Sequence, residues 1–591
     1  MCGICGEMRL DGQAAAPELV ARMLPALEKR GPDDVGQWNA GPVALGHRRL
    51  SIIDLSNKSH QPMLDLDDAE LSLVFNGAIY NYRELRADLI AKGYRFSSDG
   101  DTEVILKAYR EWGDECPKHL HGMFAFAIWD ASKQRLFAAR DRFGIKPFYF
   151  SHTPQRFRFA SNTQALLAGG DIDTSVDPVG VHFQYSLHAV IPAPHTILSG
   201  IKKLEPAHSL VIETGGEPRI ERYWELDARR GNELLSDDEW VDRIHQSLLE
   251  AVRKRNDVAD VPVGVLLSGG LDSSLLVALL AEVGVKDVHT FSVGFEDQPE
   301  EKGSEFEFSD LVVDRYKPIH HKFLVPNDQV LKRLPDTVDA MAEPMFGQDA
   351  VAFHLLSERV SQHVKVVQSG QGADEVFGGY FWYPRMMAEK EGSRLDRFRK
   401  HYFDRDHDEM MRMLTPAYHG EDYTGTYIAG RLDDAMSDDF LDAVLKLDTT
   451  TLIVDDPVKR VDNMTMAWGL EARVPFLDHE LVELAARCPA DLKLKDDGKY
   501  LLKRIARGIV PDEVIDRPKG YFPMPALKYV RGEFLGFMRD ILNSQACRER
   551  GLFERDYVDM LLDAPEKHHT RIMGSKLWHL ALLEFWLQRH T

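Results

Sequence analysis

Cys2 stands directly behind the initiator Met in MCGICGEMRLDGQ. A small second residue generally permits removal of that Met, which would leave a thiol beside its own α-amine. Such an amine titrates at about 7.7–8.0, close enough to neutrality to take the thiol proton. A Cys with a built-in base is one known route to a nucleophile for acyl transfer. By itself the segment also fits a CxxC pair of Cys2 with Cys5, or simple packing. Other segments supply what acyl transfer on an α-amino acid needs. HRRLSIIDL carries Arg49, whose guanidinium can grip an α-carboxylate in two-pronged fashion. FNGAIYN carries Asn76 and Gly77, an amide next to a glycine N–H, which is a natural oxyanion hole. GDTEV carries Asp101, able to pair with an α-ammonium. An isolated Arg or Asp is usually a solvated surface charge; the ordered set is what points to a site.

A second kind of chemistry is written in VLLSGGLDSS (265–274). An apolar run enters a glycine turn that opens a helical pattern. Ser268, Gly269 and Gly270 would present backbone N–H groups at a helix N-terminus, where N–H bonds and the helix dipole favour phosphate. Glycine turns between strand and helix are common, so the turn alone is weak, and with no GK[ST] it is not a Walker loop. Asp272, and Asp374 in the second glycine turn SGQGADEVFGGY (369–380), are candidate Mg²⁺ ligands. Mg²⁺ takes one or two carboxylates together with phosphate oxygens and water.

These residues need elements to hold them. The amino-terminal portion alternates short period-two segments (LSLVFNGAIYNY, MFAFAIWD, RLFAARD, FRFAS) with helical patterns at 82–94 and 103–113. Period-two runs bounded by Gly, Asn and Asp predict antiparallel strands, so sheets packed with helices are expected. A polar, charged stretch follows, ERYWELDARRGNELLSDDE (221–239), from which we expect a linker at 216–235 between a domain at 2–215 and one at 236–591. Ser236 with Glu239 fits a capping box, and Trp240, Ile244, Leu248 and Val252 form the apolar stripe of the helix it would open. Beyond it, VPVGVLLSGG, HTFSVGF and VKVVQSGQG alternate with helical patterns, which predicts βαβ units and a buried parallel sheet. Residues 385–440 read as a helical insertion.

Bulk properties narrow the function classes. A chain of 591 residues with 44% hydrophobic and 28% charged residues is an ordinary soluble protein of several domains or two large ones. Its net charge of −22 argues against nucleic acid as partner. Five scattered cysteines do not make a disulfide framework. A secretory signal and a membrane-length apolar run are both lacking. The cytoplasm is the expected compartment.

MCGIC, RGPDD, HRRLSIIDL, FNGAIYN, GDTEV, GMFAFAIWD and RDRFGIKPFY together resemble the glutaminase domain of the asparagine synthetase family. The resemblance continues through SGGLDSS, SGQGADE and AWGLEARVPFLD and covers about 500 residues. It implies an α+β domain of the N-terminal-nucleophile type, an αββα sandwich, followed by an α/β PP-loop domain with helical additions. It also implies that Cys2 attacks the amide of glutamine, assisted by Asn76 and Gly77. Glutamine would be held by Arg49, Leu50, Ser51, Ile52, Ile53, Asn76, Gly77, Ala78 and Asp101. ATP would be held by Leu266, Ser268, Gly269, Gly270, Asp272, Ser273, Val293, Ser369 and Gly370, with Mg²⁺ on Asp272 and Asp374. Lys499 matches the lysine that meets pyrophosphate, and 467–478 is expected to wall the same pocket, although Glu471 and Arg473 could equally be a structural ion pair. An internal ammonia tunnel is implied as well; a homodimer is left open.

Two departures matter: Ala78 leaves out an acidic contact to the glutamine ammonium, which puts more of that role on Asp101, and Gln371 bears on the acceptor. The family often has Glu where this chain has Ala78, and asparagine synthetases usually have Glu where it has Gln371. A carboxamide neither acts as a base nor carries that charge. Together with HAVIPAPHTIL (188–198) and FGGYFWYP (377–384), the pattern resembles bacterial N-acetylglutaminylglutamine amidotransferases, which amidate an acetylated dipeptide to an osmoprotectant. Tyr380, Phe381, Trp382 and Tyr383 could line a roomier acceptor pocket. Amidation of aspartate, and a catalytically silent glutamine- and ATP-binding scaffold, are the alternatives.

Overall fold

The computed structural model describes residues 2–65, 70–231, 233, 235–297, 302–434, 436–518 and 530–591. The first half carries twelve strands among these: β1 (Cys2–Arg9), β2 (Asp34–Ala40), β3 (Val43–Arg49), β4 (Met63–Leu64), β5 (Leu71–Ile79), β6 (Gly122–Asp130), β7 (Arg135–Arg140), β8 (Tyr149–Thr153), β9 (Arg156–Ala160), β10 (Lys202–Lys203), β11 (His208–Glu213) and β12 (Arg219–Arg222). They form two antiparallel sheets, in the orders β10-β8-β9-β1-β3-β2 and β12-β11-β7-β6-β5-β4. Alternation turns one face of each sheet inward. Ile4, Met8, Leu45, Val74, Ala127, Trp129, Phe157 and Phe159 make the dry layer between the sheets. The outer faces are covered by helices: Pro17–Met23 packs against β1 and β3, and Thr102–Trp112 against β5. The result is the expected αββα sandwich.

The expected linker at 216–235 needs correction, because β12 pairs with β11 and extends the second sheet to Arg222. All four β12 residues are exposed. An edge strand dressed in charge is what sheets use against edge-to-edge pairing, and that composition reads as a linker. Residues 232 and 234 of the stretch lie outside the described residues. The helix Asp237–Asp257 opens on the expected capping box, with Glu239 N–H donating to Ser236 Oγ and Ser236 N–H to Glu239 Oε2. Trp240, Ile244, Leu248 and Val252 are buried.

The second half is built on β13 (Val263–Leu266), β14 (His289–Phe295), β15 (Ile319–Val325), β16 (Val366–Gln368) and β17 (Glu471–Arg473), all parallel, in the order β15-β14-β13-β16-β17. From β13 the chain winds outward through β14 to β15, then returns to the other side of β13 for β16. The connections after β13 and β16 therefore diverge, leaving a crevice at the carboxyl ends of these strands, where α/β sheets bind ligands. Both glycine turns sit there. Within 385–440 the segments Arg394–Tyr402, His407–Met413 and Tyr423–Leu432 are helical, as expected. No described helix is long and apolar enough to cross a membrane.

Candidate active sites

Cys2 begins β1 and lies opposite Arg49 of β3. Its backbone N–H donates to Asn76 Oδ1 at 3.0 Å, and its carbonyl accepts from Arg30 Nε. Burial pushes the Cys2 thiol above its ordinary value; the terminal ammonium, the Leu50 backbone and Arg49 oppose the shift. Asn76 is fully buried, yet its Nδ2 has no hydrogen-bond partner. A buried amide with a spare donor beside a thiol fits an oxyanion receptor. Gly77 is required by close approach, since a Cβ there would lie 2.1 Å from the Met123 carbonyl on the neighbouring strand.

Asp101 precedes the helix Thr102–Trp112, and its Oδ2 accepts from Ile79 N–H at 3.0 Å. Burial raises its carboxyl to about 6. Arg49 spends donors on its own loop, reaching the carbonyls of Ser56 (3.0 Å), Ile53 and Asp54. It shapes the 50–56 segment while keeping its charge near Cys2. Leu50 and Ile52 are core side chains, Ser51 N–H donates to Asp33, and Ala78 is fully buried. Leu50, Ile52 and Ala78 can therefore meet a ligand only through backbone or after local movement.

The crevice at the carboxyl ends of β13 and β16 has a volume of about 940 Å³. Leu266, Ser268, Gly270, Asp272, Ser273, Val293, Ser369, Gly370, Gln371, Asp374 and Lys499 all line it; Gly269 does not. Gly269 shapes the turn: its φ is +79°, and a Cβ would sit 2.8 Å from Ser309 N. The N–H groups expected to be open are partly occupied, Ser268 N–H by Ser273 Oγ and Gly270 N–H by Ser268 Oγ. Hydroxyl rotation would free them for phosphate. Lys499 Nζ lies 2.7 and 2.9 Å from the two Asp272 oxygens and 2.7 Å from Asp374 Oδ1. Burial works against the ammonium, but the two carboxylates outweigh it and raise its pKa. The two expected metal ligands thus converge on one cationic point, as a divalent ion with phosphate oxygens would require. Gly379 is part of that cradle, since a Cβ there would lie 2.1 Å from Asp374 Oδ1 and 2.2 Å from Lys499 Cε.

Two expectations about the walls fail. Tyr380, Phe381, Trp382 and Tyr383 are absent from the crevice lining; they stack on one another against the core, with Tyr380 bonded to Glu375 and Tyr383 to Asp448. Consecutive aromatics at a helix start point in several directions, and burial claims them. Segment 467–478 is also missing from the lining. Glu471 and Arg473 form a fully buried pair at 2.5 Å, and Arg473 Nη1 donates to the carbonyls of Arg255 and Val258. Despite burial, the terminal ammonium, Arg473 and Lys146 lower the Glu471 carboxyl to about 2. Sequence reasoning missed Arg460, which lines the crevice and pairs with Asp349 and Asp456. Nothing in VKRVDNMTM marks it, because its partners come from distant or unremarkable positions.

Residues 243–588 match the family model described as asparagine synthase, and residues 1–224 the model of a glutamine amidotransferase domain. Glutamine-hydrolysing asparagine synthetase 1 of Bacillus subtilis is 31% identical, over 99% of this chain and 96% of its own. Asparagine synthetase 3 of the same organism is 33% identical, over 95% and 93%. Among solved structures, the glutamine phosphoribosylpyrophosphate amidotransferase from B. subtilis is similar over 55% of this chain and 91% of its own, at 16% identity and a TM-score of 0.32.

Proposed function

Because the chain belongs to the asparagine synthase family, and is an ATP-using carbon–nitrogen ligase that takes its nitrogen from glutamine, we propose that it amidates the terminal carboxylate of an acetylated Gln–Gln dipeptide through an acyl-adenylate. With Met removed, the nitrogen held by Asn76 Oδ1 is an α-amine able to take the Cys2 proton. The thiolate attacks the glutamine amide, and Asn76 Nδ2 and the Gly77 backbone receive the oxyanion. Ammonia leaves, and water releases glutamate from the thioester. Asp101 pairs with the glutamine ammonium and Arg49 draws its carboxylate.

In the crevice, the acceptor carboxylate attacks the α-phosphorus of ATP and pyrophosphate leaves. Lys499 holds the leaving pyrophosphate, and the turn 268–273 holds phosphate oxygens by backbone N–H groups. Asp272 and Asp374 would hold Mg²⁺, which supplies charge neutralisation on the phosphates. Ammonia attacks the acyl carbon of the adenylate, and the amide forms as AMP leaves.

The observation that carries the acceptor assignment is Gln371 in the crevice wall, a neutral amide suited to a peptide's amide groups where a charged base is lacking. Aspartate is the second reading, favoured by identity along the whole of the Bacillus subtilis asparagine synthetases. Glutamate and pyrophosphate release, measured with each acceptor offered separately, decides between them. Pyrophosphate release driven by the acetylated dipeptide and not by aspartate is expected; the reverse sinks the dipeptide assignment. Cys2→Ala should abolish glutamine hydrolysis while leaving synthesis from free ammonia.

A further inference from the structure

Outside both sites, one buried cluster has no part in this chemistry. His188 follows the amino-domain helix Pro178–Ser186, Asp404 lies between the helices Arg394–Tyr402 and His407–Met413, and His579 lies on the last helix, Lys576–His590. Asp404 Oδ2 is 3.0 Å from His188 Nδ1 and 3.6 Å from His579 Nδ1. One ligating atom from each residue lies within 4.8 Å of the other two. The Asp404 and His579 side chains are wholly buried, while His188 keeps 15% of its side chain exposed. Neither ring nitrogen of His579 has a hydrogen-bond partner, and Asp404 Oδ1 has none. Buried polar atoms without partners are rare and call for a ligand or a water.

The surroundings hold these groups in place. The His579 ring stacks on Phe346 at 4.2 Å, and Asp404 N–H donates to the Ser186 carbonyl. Space beside His579 Nε2 depends on Gly574, whose Cβ would come within 2.8 Å. His188 and Ala189 are held at φ of +54° and +67°, a conformation that non-glycine residues adopt only when the surroundings impose it.

We propose that His188, Asp404 and His579 form a three-ligand site for a divalent transition metal of the Zn²⁺ kind, which clamps the amino-terminal domain, the 385–440 helices and the last helix together. Two imidazoles and a carboxylate are a donor set Zn²⁺ accepts, with water completing the tetrahedron. Zinc bonds of about 2.0–2.1 Å place tetrahedral ligands about 3.3–3.5 Å apart, and the observed 3.0 and 3.6 Å bracket that spacing. Burial keeps His579 neutral, which is the ligating form. Ligating groups must be deprotonated, so protons compete with the metal and binding weakens toward acid. Arg405, Lys576 and Arg460 add positive charge near the site, and Asp456 adds negative charge.

The test uses tag-free full-length protein stripped with chelator and titrated with Co²⁺, a spectroscopic stand-in for Zn²⁺. The expected result is a tetrahedral cobalt spectrum saturating at about one equivalent, displaced by Zn²⁺, together with a raised melting temperature. His188→Gln, a change at the partly exposed ligand, should keep the fold by circular dichroism and weaken binding by at least the roughly 10–100-fold that loss of even an outer partner costs. His579→Gln should do the same if it folds, and His188→Gln decides if it does not. His479→Gln, in the separate His121–His479–Glu480 group, should retain the spectrum. No saturable binding in the wild type, thiolate-to-cobalt bands, or a spectrum unchanged in His188→Gln would each overturn the assignment.

Discussion

At the scale of single residues, the amino-terminal site rests on two side chains with complementary roles. Asn76 uses its oxygen on Cys2 N and leaves its nitrogen free. Asn76→Asp keeps the acceptor and removes the donor. The expected loss is about 10²–10³-fold in kcat for glutamine hydrolysis, with ammonia-dependent synthesis unchanged in a pyrophosphate assay. Asp101 supplies a pH signature. Its carboxyl titrates at about 6; above that it is the anion that pairs with the glutamine ammonium, and below it the pair is lost. The kcat/KM for glutamine should therefore fall as pH drops through about 6, and Asp101→Asn should lower activity and remove that limb. Residue types at this scale were legible in MCGIC, FNGAIYN and GDTEV. The Phe75 N–H donation to Gln61 Oε1 and the Arg49 donation to its own loop were not, because a hydrogen-bond partner is chosen by three-dimensional proximity.

At the scale of elements, the glycine turn after β13 works only if its backbone keeps a left-handed residue. Gly269→Ala would bring a methyl within 2.8 Å of Ser309 N at φ +79°. It should abolish ATP-dependent pyrophosphate release while sparing glutamine hydrolysis, which belongs to the other domain. The strand–turn–helix unit was readable from an apolar run, two glycines and a helical repeat. The short elements were not. β17 has three residues, too few to show a period, and it depends on β16 for its hydrogen bonds. β12 is wholly exposed, so it lacks the alternating apolar face by which strands are read. Lys499 has φ of +53° ahead of its helix, a conformation its sequence does not announce.

At the scale of the whole molecule, buried charge joins the two domains. Asp462 of the synthetase half meets Arg30 at 2.8 Å and Lys146 at 3.1 Å, both from the glutaminase half. Despite burial, the two cations lower its carboxyl. Asp462→Ala leaves both buried cations without this partner, and removal of one member of such a cluster costs about 3–5 kcal/mol. Chemical denaturation should show that loss, and glutamine hydrolysis should become less tightly matched to amide formation. Lys203 adds a second junction, reaching Glu343 and Asp455 at 2.9 and 2.6 Å. Neither junction could be read from the chain, since each joins residues more than a hundred positions apart.

By itself the chain determined the candidate nucleophile, the two glycine turns, the carboxylates at Asp272 and Asp374, and the order of an αββα half before a parallel α/β half. These are local facts: residue type, spacing and the period of apolar side chains survive in one dimension. Tertiary structure alone decided which charges meet. It drew Lys499 between the two carboxylates, moved the 380–383 aromatics from crevice to core, and set Glu471 with Arg473 against the domain junction. It also gathered His188, Asp404 and His579 from three separate elements. Cys2 was therefore recognisable from its neighbours in sequence, whereas its link to the synthetase half depends on packing, which brings together groups that the chain keeps far apart.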